Sequence, residues 1–289
     1  MKLRTRLENA VIIAFIGLVA LVCLLPMLHE LALSFSSNRA VLAMEVSLWP
    51  VEFSLNSYGE VFKDASIFRA LVFSLFLTAG FAAVAMVLNV CCAYPLTRRE
   101  MKGRNFFMTA ILITMYFSGG ILPLYVLLKT LGMLNTVWAL VLPVAINPFY
   151  LIILRTSLAG LPESITESAL IDGASYVRIL LSIVIPLSMP ILATLSLFYA
   201  VFRWNTFQDA LFYITNQAMY TLQEKLSYIV LDQSAVEKIL AEGSEGGERI
   251  VPTAITAATV MVATVPILVA YPWLQRYFIS GVMIGSIKG

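Results

Sequence analysis

Residues 163–186 read ESITESALIDGASYVRILLSIVIP. The stretch begins polar and ends apolar, and it separates two long apolar runs. Pro162 suits a first helical turn, where its missing N–H costs nothing. Glu163 and Glu167 stand one turn apart near that positive helix end. Gly173 takes the left-handed backbone conformation without a Cβ penalty, so it closes this first helix. Ser175 then caps a second helix that runs to Pro186. The expected product is a compact helix–turn–helix knob. Its small residues Ser168, Ala169 and Ala174 allow close approach to a partner's groove.

What surrounds the knob decides the solvent. The chain has 289 residues, of which 60% are hydrophobic and 12% charged, where a soluble domain carries about 25% charged residues. Uncharged runs cover 9–29, 70–97, 105–128, 130–154, 179–202 and 250–275, each 21 to 28 residues long. A spanning helix needs about 20 residues. The runs are continuously apolar and do not alternate, which favours helices over a barrel. The expected architecture is an all-α membrane protein in one domain, 1–289, with six spans near 9–33, 70–97, 105–128, 135–157, 187–214 and 252–279. The knob is the loop 162–186 between spans four and five. The basic start of the chain, ahead of its first apolar run, also fits a signal peptide. That run is longer than a signal core and five more follow, so it reads as an uncleaved first span.

Basic residues orient the chain. An even number of spans puts both ends on one side. Lys2, Arg4, Arg6, Arg98, Arg99, Lys102, Arg104, Arg155, Arg178, Arg276 and Lys288 share that side, eleven in short segments. The opposite side holds seven, Arg39, Lys63, Arg69, Lys129, Lys225, Lys238 and Arg249, spread over longer loops. The denser side is cytoplasmic, so the termini and the knob face the cytoplasm. The net charge of +2 follows topology and gives no nucleic-acid signal. Cys23, Cys91 and Cys92 fall in apolar runs and read as buried free thiols. The single histidine, His29, offers no zinc cluster.

The chain contains no Gly-Lys pair, so it has no phosphate-cradling G-x-x-x-x-G-K-[ST] loop. Nor do its spans carry the paired acids expected of an ion-coupled carrier. Arg203 and Asp209 are the charged residues placed within the fifth span. They belong to YAVFRWNTFQDALFY, 199–213, where Trp204, Asn205 and Gln208 suit a sugar path: amides bond hydroxyls and rings stack on apolar sugar faces. The bland alternative is an interfacial aromatic belt with helix–helix hydrogen bonds. Asn89, Asn147 and Tyr150 are weaker candidates of the same kind, and Pro143 and Pro148 are expected to kink the fourth span. In the external segment 216–251, Leu222, Leu226, Ile229 and Val230 keep a helical period and GSEGGE at 243–248 supplies a hinge. A helix over 220–242 is expected there. Six acidic residues against three basic ones, Glu224 among the six, suit a partner with a basic rim; the alternative is a helix lying on the membrane surface.

The order Glu167–Ser168–Ala169–x–x–Asp172–Gly173–Ala174, then Ile183–x–Ile185–Pro186, resembles the EAA loop of ABC-importer inner-membrane permeases. Ser168 stands for the usual first Ala and Ile185 for the usual Leu, and both keep size class. The likeness continues through AYPLTRREMKGRNFFM at 93–108, FSGGILPLYVLLKTLGMLNTVWALVLP at 117–143, RWNTFQDALFY at 203–213 and LQRYFISGVMIGSIKG at 274–289. Together these resemble the carbohydrate branch of type I importer permeases, and within it the complex-polysaccharide group that includes alginate-oligosaccharide permeases. The resemblance implies a bacterial inner-membrane subunit without covalent chemistry. It implies a second homologous permease as heterodimer partner, two ATPase subunits that bind ATP and Mg, and an external solute-binding protein, the basic-rimmed partner expected for 220–242. It assigns ATPase coupling to Glu163, Glu167, Ser168, Ala169, Asp172, Gly173 and Ala174, and delivers an oligosaccharide, alginate-like or another polysaccharide fragment, as cargo. The rivals are a stand-alone secondary carrier or channel and a membrane scaffold. Co-purification of an ATPase and a second permease separates the first, and sugar uptake after deletion the second.

Overall fold

The computed structural model describes residues 2–231 and 252–286, and every regular element among them is helical. The helices are α1 (Lys2–Ser34), α2 (Asn38–Leu42), α3 (Asn56–Lys63), α4 (Ala65–Thr97), α5 (Arg104–Tyr116), α6 (Ile121–Thr130) and α7 (Val137–Val141). They continue as α8 (Pro148–Ala159), α9 (Glu163–Ile171), α10 (Tyr176–Ile179), α11 (Ile185–Leu187), α12 (Met189–Asn205), α13 (Gln208–Tyr213), α14 (Leu222–Leu231) and α15 (Pro252–Ser286). Positions 232–242 of the expected external helix and the 243–248 hinge lie outside the described residues.

Three described helices are long and apolar enough to cross a membrane alone: Asn9–Ser34 of α1, α4, and Pro252–Val269 of α15. Three broken pairs meet the same test together: α5 with α6, bent by 117°; α7 and its 3-10 extension with α8, bent by 55°; and α10–α11 with α12, bent by 82°. Counting each pair as one crossing gives up to six. The breaks have local causes. Between α5 and α6 the chain reads Phe117-Ser118-Gly119-Gly120, and Gly120 sits at φ 83°, a conformation that glycine adopts without strain. Pro143 and Pro148 flank the 55° bend, the place where a kink was expected. Pro186 and Pro190 flank the 82° bend at Ser188, and neither offers an N–H to continue the ladder.

The chain forms two compact units, Met1–Arg69 with Lys225–Pro266, and Ala70–Glu224 with Ile267–Gly289. In the first, Ala254 and Ala257 of α15 pack with Ala32, Leu33, Ala40, Val41 and Val46. The small residues let backbones approach closely, which is how helices associate without a hydrophobic drive. In the second, α4 buries one stripe: Ala70, Ser74, Leu77, Phe81, Ala85, Asn89 and Ala93. Their spacing of three and four keeps them on one helix face. Its middle meets Leu140, Val141, Ala145, Tyr199, Ala210 and Ile214. Its far end, Ala93 and Tyr94, meets Leu151, Leu154, Leu158, Ile179, Val184 and Leu195. By contrast, the central α1 residues are exposed on this chain. For a membrane helix such exposure means lipid or another subunit. The same reasoning corrects the cysteines. All three are free thiols, but Cys23 and Cys91 are exposed and Cys92 half-buried. An apolar run satisfied by lipid need not be covered by its own chain.

Candidate functional site

The knob is a Schellman-closed helix pair. Its first arm, α9, starts at Glu163, and Pro162 is the flanking residue at φ −58° and ψ 125°. Pro162 therefore sits one position earlier than expected, with its extended ψ ending the incoming loop. At the other end, Gly173 takes φ 79°. Its N–H donates to the Leu170 carbonyl at 3.0 Å, and the Ala174 N–H donates to the Ala169 carbonyl at 2.9 Å. These are the two bonds that define the motif. A Cβ at Gly173 would meet nothing within 4 Å, so glycine is required there by backbone conformation and not by crowding. Ser175 then accepts the Arg178 N–H on Oγ at 3.3 Å and starts α10. The second arm differs from the single helix expected. Leu180–Val184 is a π turn, followed by α11 and an end at Leu187. Pro186 cannot donate to a preceding carbonyl, and such ladder faults favour local widening.

Five of the seven expected coupling residues, Glu163, Glu167, Ser168, Asp172 and Gly173, are exposed. Ala169 and Ala174 are half-buried and turn inward, packing with Ile179 onto Ala93, Tyr94, Leu154 and Leu158. The motif missed Ile171. It is 86% exposed at the end of α9, beside the glycine turn. No described part of this chain covers this branched aliphatic at the tip of a polar knob. The signal lay in its place directly before Asp172-Gly173.

The basic 97–104 loop is part of this construction. Arg98 Nη2 donates to the Tyr94 hydroxyl at 2.7 Å, and that hydroxyl donates to the Tyr176 carbonyl at 3.2 Å. The Arg98 guanidinium lies 4.8 Å from the Tyr94 ring centre and 5.5 Å from that of Tyr176. Tyr176 donates its hydroxyl to Glu100 at 3.4 Å. Arg99 and Glu163 form an exposed ion pair at 3.6 Å. Beside these groups lies an open cavity of about 510 Å³ lined by Cys91, Pro95, Met101, Val177 and Leu180.

The expected solute-path residues separate into two groups. Asn89 is 1% exposed, and its Nδ2 donates to the carbonyls of Ala85 at 2.7 Å and Ala145 at 3.0 Å. It ties α4 to the turn before α8. Asn147 caps α8: its Oδ1 accepts the N–H groups of Phe149 and Tyr150. Its own N–H donates to the Tyr199 hydroxyl at 2.9 Å. Tyr150 stands edge-on to Tyr199 at 5.0 Å. Asn89, Asn147 and Tyr150 thus gather around Tyr199, a residue that sequence reasoning did not single out.

The second group follows α12. Trp204 is 6% exposed and so turned into the chain, whereas Asn205 and Gln208 are exposed. Arg203, fully buried, grips both Asp209 oxygens, one of them at 2.8 Å, and donates to the carbonyls of Leu140 and Thr206, each at 2.9 Å. This clasp fixes the turn that presents Asn205 and Gln208.

Within the 216–251 segment, Thr221 and Glu224 form a capping box. Thr221 Oγ1 accepts the Glu224 N–H at 3.2 Å, and Glu224 Oε2 accepts the Thr221 N–H at 3.3 Å. The Leu222 N–H donates to Ser74 Oγ at 2.7 Å. Glu224 is fully buried, and burial pushes its carboxyl up to about 7; nearby Asp209 adds to the rise while the Thr221 N–H opposes it. Counting Glu224 as partner-facing charge is therefore incorrect: the box turns it inward. The remaining five acidic residues of 216–251 lie outside the described residues. In α14, Leu222, Leu226 and Ile229 are buried, but Val230 is exposed.

Residues 90–283 match the family model described as "Binding-protein-dependent transport system inner membrane component". The chain is 40% identical to the polygalacturonan/rhamnogalacturonan transport system permease protein YtcP of Bacillus subtilis (strain 168), over 99% of this chain and 100% of the relative. It is 39% identical to Protein LplC of the same organism, over 96% of this chain and 93% of that one. Among solved structures, a bacterial ABC transporter involved in the import of the acidic polysaccharide alginate matches at TM-score 0.87 and 27% identity. That match covers 94% of this chain and 97% of the other. The chain belongs to the family of binding-protein-dependent transport system inner membrane components.

Proposed function

We propose that this protein is the membrane-spanning permease of an ATP-driven importer that takes up oligosaccharide fragments of an acidic, uronic-acid-containing polysaccharide. The observation that carries this reading is the end-to-end 40% identity to a polygalacturonan/rhamnogalacturonan permease. The alginate-importer match points to the same chemistry, since polygalacturonan and alginate are both polymers of uronic acids. The partners in this reading are a second, homologous permease, an external solute-binding protein and two ATPase subunits that hold ATP and Mg. The bacterial inner membrane is the site, with both termini and the knob in the cytoplasm, as the basic-residue density suggests.

The exposed knob, with Ile171 at its tip, is shaped to sit in a groove of an ATPase subunit. Closing of the ATPases on ATP would draw the 163–187 arms with them and rock the attached helices. ATP favours one state because the docked subunits contact the knob differently in each. Asn205 and Gln208, exposed on the turn that Arg203 fixes, are the best-placed candidates for sugar hydroxyls. The test is reconstitution of the permease with its partners in vesicles. A binding protein loaded with oligogalacturonate or oligoalginate should stimulate ATP hydrolysis and uptake. Equal stimulation by a neutral malto-oligosaccharide would refute the acidic-sugar reading. Uptake by this chain without any ATPase would refute the importer reading in favour of a carrier.

A further inference from the structure

The arginines of the 97–104 loop read first as topology determinants, yet the Arg98 side chain makes three contacts, one hydrogen bond and two ring faces. It donates to the Tyr94 hydroxyl, which in turn donates to the backbone carbonyl of Tyr176. Its guanidinium is placed against both tyrosine rings. Tyr94 belongs to the last turns of α4, whose buried stripe joins two core clusters of the second unit. Tyr176 is the first residue of α10, three residues beyond the Gly173 turn. It is held at three points: its carbonyl by Tyr94, its ring by Arg98 and its hydroxyl by Glu100. The end of α4 is pinned in the same place. The Leu96 carbonyl accepts Arg104 Nε at 3.0 Å and Arg155 Nε at 3.3 Å, as cations at a helix C-terminus should be placed.

From this arrangement we infer that Tyr94, Arg98 and Tyr176 form a latch that transmits movement of the knob to α4, and that Arg98 and Tyr94 are positioning residues for coupling hydrolysis to transport. The inference rests on the knob's role under the proposed function. The physical need is directional. Apolar packing between Ile179, Val184 and Ala93 resists separation but tolerates sliding, because it has no angular preference. Hydrogen bonds fix an angle, and a planar guanidinium between two rings fixes a plane. A pull on the knob thus reaches α4 without slippage. α4 also carries Asn89, which binds the Ala145 carbonyl next to the Asn147–Tyr150–Tyr199 group. The latch therefore joins the cytoplasmic knob and the polar group deeper in the chain through one helix.

The experiment uses the whole reconstituted complex and the variants Tyr94→Phe, Arg98→Ala and Arg98→Lys. Two quantities are read: ATPase subunits retained per permease, and sugar transported per ATP hydrolysed. In Tyr94→Phe and Arg98→Ala the ATPases should remain at wild-type stoichiometry. Transport per ATP should fall by at least about fivefold, the lower end of ordinary coupling between sites. Arg98→Lys keeps the charge but not the plane, and should lie between. Tyr94→Phe removes a single oxygen and decides the matter if Arg98→Ala fails to insert. Wild-type transport per ATP in Tyr94→Phe and Arg98→Ala overturns the latch alone. Loss of the ATPases from both variants also overturns it, since that is a merely structural role. A complex carrying Ile171→Cys as its sole substitution that never cross-links through that position to an ATPase subunit overturns the knob reading, and the latch with it.

Discussion

Replacing Glu224 by Gln should make the protein more stable at pH 8 and leave it nearly unchanged at pH 4.5. The carboxyl is fully buried, with one oxygen accepting the Thr221 N–H. Burial holds its proton to about 7, against an ordinary glutamate value of 4.5. The folded protein thus keeps a proton that the unfolded chain releases. The stability that goes with it is fully present below pH 4.5 and is lost as pH rises through 7. At 1.36 kcal/mol per pH unit, the loss by pH 8 is about 3 kcal/mol. For 289 residues, soluble-protein scaling converts this to about 5 °C in midpoint. Gln serves at this position of a capping box as Glu does, so the cap survives while the titration disappears. The assay is the thermal unfolding midpoint in detergent at a series of pH values. The wild type should lose midpoint relative to Glu224→Gln as pH rises from 5 to 8, with the difference complete near 8. Parallel profiles would refute the reasoning, because a solvated or ion-paired Glu224 carries no such penalty.

Three further outcomes follow from the geometry. Gly173→Val should abolish substrate-stimulated ATP hydrolysis with membrane insertion retained. The left-handed turn costs a non-glycine residue about 1–2 kcal/mol, and a β-branch raises that, while Gly173→Ala should be milder; hydrolysis assays with both variants check this ranking. Asp209→Asn or Arg203→Met should lower thermal stability by about 3–5 kcal/mol, the cost of stranding one member of a buried pair. The double variant should recover part of it, measured as a double-mutant cycle. Asn205→Ala and Gln208→Ala should raise the sugar concentration needed for half-maximal uptake with stability unchanged, whereas Asn89→Ala should lower stability first; uptake and melting measured on the same preparations distinguish the two.

The local chemistry of the knob was legible in advance because each of its devices is local. Gly173 at φ 79° and the Ser175 cap follow from single residues whose backbone preferences are strong. The apolar runs were legible for a similar reason: lipid penalises charge wherever it occurs, so the absence of charge marks membrane-length segments. Hydropathy carries no information about helix geometry, however. The runs at 105–128 and 179–202 contain breaks of 117° and 82° that cost nothing in apolarity. Their signals were the Gly119-Gly120 pair and the Pro186 and Pro190 flanks, which act through missing Cβ atoms and missing N–H groups.

The polar residues of the spans stand out in the sequence, but the sequence does not sort them. Asn89 and Asn205 are the same residue type in similar apolar surroundings. One spends its amide on two carbonyls inside the chain, and the other, exposed at the end of α12, bonds the Val201 carbonyl of its own helix. What separates them is which face of the helix the rest of the chain covers, a non-local property. Arg98 makes the same point for charge. Its position in a short basic loop was sufficient for topology, and nothing more was needed to explain it. Its contacts with Tyr94 and Tyr176 arise because residues 82 positions apart are brought together by the return of the chain through α9 and α10. A residue whose charge reads as an orientation signal can therefore also be built into a folded contact network. The two roles predict different results for Arg98→Lys: orientation depends only on charge and should be preserved, whereas a latch built on a planar guanidinium should weaken.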